Sequence, residues 1–491
     1  MNLAQAFRLV YPNIRTGFQQ AAAPDLHRDA PVVLERSELP TCVALVGAGG
    51  KTTALFELAR QLPPPVFITT TTHLATWQLA LADEHLILST QDDLRLLSRL
   101  DLTGVMLITG VLVDQDRVSG LETHLLRGLH ELVRSRGKFL LIEADGSRQR
   151  PLKSPAEHEP LIPDFVDLVV VVAGLSGLGQ PLTEEWVHRP ALFAELAGLG
   201  LGDPVTPESL VRMLIHPQGG LKAVPPSVRR VALLNQADSS LLQAQAQHLA
   251  SSLLPAYHSV VVSSLQDPGF ATSEVRERRL DTSDEVNLEG LRVHAVYEPT
   301  AGVILAAGGA SRIGMPKQLL LYRSRPLVWH VASAALAAGL SPVYVVLGAF
   351  EPQVRSALGG LPVAFVHNTA WESGQSSSMK AGLLALPKQT GAVIFLLADQ
   401  PKVPLGLLKT LVEQHALTLA PILAPLIDGQ RANPVLFDRL TFEDLMRVQG
   451  DVGGRAIFSA YPVTWIDWYD PGAGMDVDTE ADYQRLIDSD Q

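Results

Sequence analysis

A single cysteine, Cys42, stands in a chain of 491 residues, so no intramolecular disulfide forms and a cysteine-built zinc or iron–sulfur centre is excluded within one chain. A reducing compartment is the simpler home for such a chain, and a cytoplasmic location is expected. Long apolar runs are also missing. The run from Leu168 to Leu175 is far shorter than the ~20 residues that span a bilayer, and Met1 to Arg15 lacks the apolar core of a secretory signal. Positive charge is in deficit, with 39 Lys and Arg against 51 Asp and Glu and a net charge of −12. That balance offers no global attraction to nucleic acid or anionic lipid, so neither is expected as a partner and any anion site must be local.

Apolar material is plentiful, at 47% hydrophobic against 18% charged residues, which excludes wholesale disorder. The length exceeds one compact core and calls for several domains. Between about Ser264 and Thr300 the apolar periodicity gives way to EVRERR, DTSDE and Glu298-Pro299-Thr300, which marks the main boundary. The expected division is a domain over 1–280, a linker over 281–298 and a domain over 299–491. Each reads as α/β with a mainly parallel sheet covered by helices. N-terminal strands are expected at Val43–Val46, Val66–Thr70, Val105–Thr109, Phe139–Glu143, Leu168–Val172 and Val231–Leu234. C-terminal strands are expected near 303–307, 343–347, 363–366, 392–398 and 421–424, with helices over Pro326–Leu340 and Ser376–Leu386. The Gly- and Pro-rich stretch Gly174–Pro226 reads as a small separate subdomain.

Residues 303–320, VILAAGGASRIGMPKQLL, run as a buried strand, a glycine-rich turn, an arginine and a lysine. Glycines at 308, 309 and 314 allow main-chain N–H groups to approach phosphate oxygens that a β-carbon would obstruct, and Arg312 and Lys317 supply mobile positive charge. Asp399 follows the strand VIFLLA, where a carboxylate at the end of a parallel strand is placed to hold Mg²⁺ against phosphates. Asp478 either adds a second ligand or caps the helix opening at Thr479 and Glu480.

This constellation resembles the nucleotidyltransferases of the molybdenum cofactor, whose signature LAAGxSxRMGxxK appears as LAAGGASRIGMPK with Ile313 the one departure. Asp399-Gln400-Pro401, Asn433-Pro434 after Ala432, Gly450 to Arg455 and Asp476 to Thr479 follow in the family's order. The resemblance covers residues 301–491. It implies a Rossmann-like nucleotidyltransferase with Ala306, Ala307, Gly308, Gly309, Ser311, Arg312 and Lys317 on the nucleotide. It makes Arg312, Lys317 and Asp399 catalytic, Asp399 and Asp478 metal ligands, and Asn433 and Arg455 candidates for the second substrate. The LAAG form with a following DQP is similar to the cytidylyltransferase branch, so CTP is the expected donor and molybdopterin cofactor the acceptor. Guanylyl transfer and transfer to a sugar phosphate stand as alternatives. A phosphate monoester is already ionised at neutral pH, so no strong general base is needed.

Residues 43–53, VALVGAGGKTT, pass from a strand through a glycine-rich turn to Lys-Thr at a helix start. The strict P-loop spacing fails at Leu45, but the shortened Gly-x-x-Gly-Lys-Thr resembles the phosphate loop of Mur-type ligases. Gly47, Gly49, Gly50, Lys51 and Thr52 are the expected phosphate-binding residues of a P-loop-like domain, with ATP or GTP as the nucleotide. Glu143 and Asp145 end the strand FLLIEAD, either as metal or water ligands or as a satisfied strand-end turn. His73 and His158 read either as ligands or as ordinary hydrogen-bonded histidines. Asn235 and Asp238 echo the base-reading motif of GTPases, although Gln236 replaces its lysine. Together VGAGGKTT, TTTTH, EADGSRQRPLKSPAEHEP and LTEEWVHRP resemble the YqeC family, an accessory group linked to selenium-dependent molybdenum hydroxylases. The expected whole is a YqeC-like domain fused to a molybdenum cofactor cytidylyltransferase. A molybdenum hydroxylase apoenzyme is the expected protein partner, and a nucleotide-gated delivery module without turnover is the alternative for the N-terminal half.

Overall fold

The computed structural model describes residues 1–10, 39–265, 291–309 and 316–489. The described residues up to Tyr297 form one compact unit and those from Glu298 a second.

In the N-terminal unit nine strands form one sheet: β1 (Cys42–Gly47), β2 (Val66–Thr70), β3 (Glu84–Ile87), β4 (Val105–Thr109), β5 (Phe139–Glu143), β6 (Leu168–Gly174), β7 (Arg229–Asn235), β8 (Ser259–Leu265) and β9 (Leu291–Tyr297). They lie in the order β9-β8-β7-β6-β1-β5-β2-β4-β3, and all neighbours are parallel except β8 and β9. Strand β6 reads LVVVVAG and is buried along its whole length, as a central parallel strand covered on both faces requires. The chain leaves β1 toward β2 on one side and later reaches β6 on the other, so the carboxyl end of β1 lies at a topological switch point where ligands collect.

Two expectations for this unit are corrected. The linker expected over 281–298 holds a strand, because β9 closes the sheet antiparallel to β8, with Ala295 and Val296 buried. The charged residues that suggested a linker extend less far than the apolar alternation that follows them, and 281–290 lie outside the described residues. The stretch Gly174–Pro226 is no separate subdomain. Its helices Pro190–Ala197 and Pro207–Ile215 place Phe193, Ala197, Leu210, Met213 and Leu214 in the same core as Val169 and Val171 of β6.

The C-terminal sheet contains β10 (Thr300–Leu305), β11 (Val343–Leu347), β12 (Ala364–His367), β13 (Ala392–Leu397), β14 (Ile422–Ile427), β15 (Val435–Asp438) and β16 (Val463–Trp468). The order is β12-β11-β10-β13-β15-β14, with β16 paired to β14. Among these strands β15 alone runs against its neighbours. Alternate side chains feed two cores, Ile304, Val345 and Ile394 on one face and Val303, Val346 and Val393 on the other, the period of two that a pleated strand imposes. Successive strands step outward from β10 to β12 and then return to β13, which puts a second switch point between β10 and β13. No helix among the described residues is long and apolar enough to cross a membrane.

Candidate functional site

Leu305 pairs with Leu397 in the register of β10 and β13, so the two chains leave the sheet side by side. Ala306, Ala307, Gly308 and Gly309 emerge from one strand, and Ala398 and Asp399 from the other. All six line a cleft of about 520 Å³ together with Lys317, Gln318, Trp371, Gln375, Ser378 and Asp451, a volume suited to a nucleotide-sized ligand. Gln318 Nε2 donates to the carbonyls of Ala306 at 3.3 Å and Gly308 at 3.2 Å, which fixes the turn. Ser311 and Arg312, with Gly314, fall outside the described residues.

Lys317 Nζ reaches Asp478 Oδ1 at 2.5 Å and Asp399 Oδ2 at 3.4 Å. Asp478 comes into place because Val477 N donates to the Asp399 carbonyl at 3.2 Å and Gln400 Nε2 donates to Asp476. The helix Glu480–Asp488 is capped by Thr479, and the helix Leu405–Thr418 has Pro404 at its cap position. Neither aspartate therefore serves as a helix cap. Burial raises the carboxyl pKa of Asp399, against the opposing charge of Lys317, and burial likewise raises that of Asp476, against its Gln400 hydrogen bond. Burial works against the Lys317 ammonium, yet the Asp478 hydrogen bond and the Asp399 charge outweigh it and raise its pKa. The result is an ammonium held between carboxylates at the strand ends, with oxygen donors able to take a hard cation.

Sequence reasoning missed several parts of this cleft. Trp371 packs against the backbone of two glycines. A Cβ at Gly309 would lie 3.2 Å from the indole, and one at Gly348 would lie 2.8 Å from it. Gly309 thus makes room for an aromatic ring. Gly374, at φ +108°, lets the 450–451 turn approach, and Ser376 N and Gln375 N donate to Gly450 O and Asp451 Oδ1, both at 3.3 Å. From the Gly450–Arg455 segment it is therefore Asp451 that lines the cleft. Arg455 is exposed, and neither it nor Asn433 lines the cleft. The serines after Gln375 do not cap their helix. Ser377 Oγ and Ser378 Oγ accept from buried Asn368 Nδ2 at 2.8 and 3.0 Å.

The N-terminal cleft, of about 630 Å³, opens at the switch point beside β1 and is lined by Gly49, Gly50, Lys51, Thr52, His73, Glu143 and Arg150, among others. Gly47, Gly49 and Gly50 all have positive φ, and a Cβ on Gly49 would fall 2.3 Å from Gly174 N. The helix Lys51–Gln61 begins at Gly50 without a side-chain cap, leaving its first N–H groups toward the cleft for an anion. Leu45 pairs with Glu143, which brings Asp145 level with the turn. Gly47 N donates to Asp145 Oδ2 at 3.0 Å, Lys51 Nζ lies 3.2 Å from Oδ1, and Lys153 Nζ donates to Oδ2 at 2.8 Å. Lys153 also reaches Glu159 at 2.9 Å, and Arg189 reaches Glu159 at 2.8 Å.

Asp145 thereby anchors the turn. Glu143 keeps Thr52 Oγ1 at 3.1 Å, and burial raises its pKa against the charge of Lys51. Burial would also raise Glu159, but hydrogen bonds from Arg189 and Lys153 hold it at about 2. The LKSPAEHEP and LTEEWVHRP segments are thus joined by one chain of charges, buried except for the partly exposed Arg189, that ends on the turn. His158 is exposed and outside the cleft, and Asp238 is exposed. Asn235 is buried and donates to Gly49 O at 2.9 Å, so it holds the turn.

Comparison with known proteins matches each unit separately. Residues 43–191 match the family described as YqeC protein, and residues 302–464 the MobA-like NTP transferase domain. An uncharacterized protein YqeC of Escherichia coli K12 is 37% identical over 222 residues, 43% of this chain and 84% of that protein. The nicotine blue oxidoreductase of Paenarthrobacter nicotinovorans is 33% identical over 196 residues, 38% of this chain and 95% of that protein. Among solved structures, Rv0371c of Mycobacterium tuberculosis H37Rv is 28% identical over 39% of this chain and 98% of that one, with a TM-score of 0.36. The chain belongs to the YqeC family through its N-terminal domain and joins to it a MobA-like NTP transferase domain.

Proposed function

We propose that the C-terminal domain transfers CMP from CTP to molybdopterin cofactor and releases pyrophosphate. The observation that carries this reading is the Lys317 ammonium, held between Asp399, which lines the cleft with it, and the more exposed Asp478. An oxygen of the acceptor phosphate attacks the α-phosphorus, a new P–O bond forms, and the bond to the bridging oxygen of pyrophosphate breaks. The already ionised acceptor needs no base, so the work is alignment and neutralisation of developing charge. Lys317 offers its charge to the departing phosphates, and the Gly308-Gly309 turn offers main-chain donors. Among the described residues no three or more His, Cys, Asp or Glu side chains form a metal cage. Two carboxylates with phosphate oxygens completing the shell is the usual pattern for Mg²⁺, and Asp399 and Asp478 fit it. When bound, Mg²⁺ supplies neutralisation of the phosphate charge.

The choice of CTP is supported by resemblance: Ala307 in LAAG, with Asp399-Gln400-Pro401 following, is similar to the cytidylyltransferase branch. A site that hydrogen-bonds one base leaves polar groups unpaired with another and discriminates by up to about 10⁴. Purified protein with molybdopterin is expected to release pyrophosphate from CTP far faster than from GTP. Equal rates contradict the cytidylyl reading, and a preference for GTP replaces it with guanylyl transfer.

The N-terminal cleft is read as a nucleotide site of accessory function, supported by its glycine turn, Lys51 and Thr52. The finished cofactor then passes to a molybdenum hydroxylase apoenzyme, the protein partner this reading implies. A second reading, oxidation–reduction with a dinucleotide in the C-terminal cleft, is favoured by the oxidoreductase relative. Consumption of NADH or NADPH by the purified protein, with no pyrophosphate release from any nucleotide, would support it instead.

A further inference from the structure

The phosphate-loop reading leaves two features of the N-terminal cleft unused. Several arginines of this acidic chain carry carboxylate partners: Arg60 has Asp83, Arg127 has Asp164 and Arg189 has Glu159. Of the cleft's own cations, Lys51 is balanced by Asp145 and Glu143, and Arg117 by Asp114. Arg148 and Arg150 line the same cleft, and neither guanidinium has an ion pair or side-chain hydrogen bond among the described residues. The segment bearing them is tied to the glycine turn, since Gly49 N donates to Arg150 O at 3.1 Å. Two fork-shaped donors without counter-ions therefore stand beside a turn built for phosphate, the chemistry that a terminal phosphate group satisfies.

The second feature is Trp77. It lines the cleft and is 47% exposed. Thr52, at the start of the phosphate-loop helix, lines the same cleft and accepts from Nε2 of Gln78, the residue after Trp77, at 3.1 Å. Across the cleft, Asn235 is engaged by the protein itself at both its polar side-chain atoms and Gln236 is engaged through its oxygen. Asn235 Nδ2 donates to Gly49 O, its Oδ1 accepts from Ser263 Oγ at 3.0 Å and Leu265 N at 2.9 Å, and Gln236 Oε1 accepts from Ser176 Oγ at 2.6 Å. The exposed Trp77 offers a base the face of an indole, and stacking tolerates every base.

We propose that the N-terminal cleft binds nucleoside triphosphates with little regard to the base, Trp77 stacking the ring while Arg148 and Arg150 grip the terminal phosphate. This rests on reading the cleft as a nucleotide site and adds what that site distinguishes: the number of phosphates, not the base.

Trp77 supplies its own reporter. In the full-length protein, the part of the nucleotide-induced fluorescence quench that disappears in Trp77→Phe belongs to this site, whatever binds in the C-terminal cleft. With Mg²⁺ present, ATP and GTP are expected to give half of that signal at concentrations within about threefold of each other. ADP is expected to need at least about tenfold more. Joint substitution Arg148→Gln and Arg150→Gln brings ATP down to the level of ADP and leaves ADP unchanged. Equal binding of ATP and ADP by the unaltered protein, or discrimination that survives the double substitution, overturns the phosphate assignment. Nucleotide binding that depends on Lys51 but gives no Trp77 signal, or a preference of about tenfold for one base, overturns the stacking assignment. Nucleotide binding by equilibrium dialysis that is identical in Lys51→Ala and the unaltered chain removes the underlying nucleotide reading, a result distinct from the others.

Discussion

Lys51 Nζ and Asp145 Oδ1 stand 3.2 Å apart with both side chains 2% exposed. Asp145 is shared, because its other oxygen accepts from Lys153, itself almost fully buried, and from the Gly47 N–H. One carboxylate thus contacts two buried ammonium groups, whose remaining charge falls to Glu143 and Glu159, and holds the glycine turn.

Asp145→Ala is expected to destabilise the N-terminal domain by about 3–5 kcal/mol, since it leaves both lysines buried without this partner. Urea unfolding of the variant tests this. An unchanged midpoint would mean that Glu143 and Glu159 balance the lysines unaided.

Glu159 sets a pH dependence. Its pKa lies at about 2 in the folded protein against an ordinary 4.5, so the folded state favours the ionised form. The stability it contributes is fully present above pH 4.5 and is lost as the pH falls from there toward 2. Glu159→Gln should lower stability at neutral pH and flatten the acid limb of a plot of urea midpoint against pH. A limb as steep as that of the unaltered protein would place the acid sensitivity elsewhere.

Gly374→Ala places a methyl 2.6 Å from the carbonyl carbon of Gly450 at a φ of +108°. Backbone strain of this kind costs about 1–3 kcal/mol, and relief by movement would carry Asp451 away from the cleft. The expected outcome is a lowered melting temperature together with a raised KM for the nucleotide. Normal values of both would show that the 450–451 turn shifts without consequence.

Much of both sheets is legible because buried parallel strands such as LVVVVAG and VIFLL announce themselves as continuous apolar runs. Two strands that are only partly buried escape. Glu84–Ile87 mixes charge with apolar residues at the sheet edge, and Val463–Trp468 is only partly buried along most of its length. Strand β15 is missed because the Asn433-Pro434 segment before it is read for its motif alone and the strand itself is only four residues long. In the sites, the motif residues Lys51, Lys317 and Asp399 line the two clefts. The Lys51–Asp145–Lys153–Glu159–Arg189 chain was hidden because Lys51 and Arg189, at its two ends, come from segments far from the other three in sequence. Trp371 was hidden because a lone tryptophan carries no spacing signal of its own.

The most direct test is pyrophosphate release from CTP in the presence of molybdopterin by the full-length protein and by Asp399→Ala, with circular dichroism confirming that both are folded. Asp399 faces Lys317 across the cleft and is a quarter exposed, so its loss should spare the fold. The account predicts brisk release by the unaltered protein and a fall of about a hundredfold or more in the variant. Near-normal release by a folded Asp399→Ala protein would contradict it.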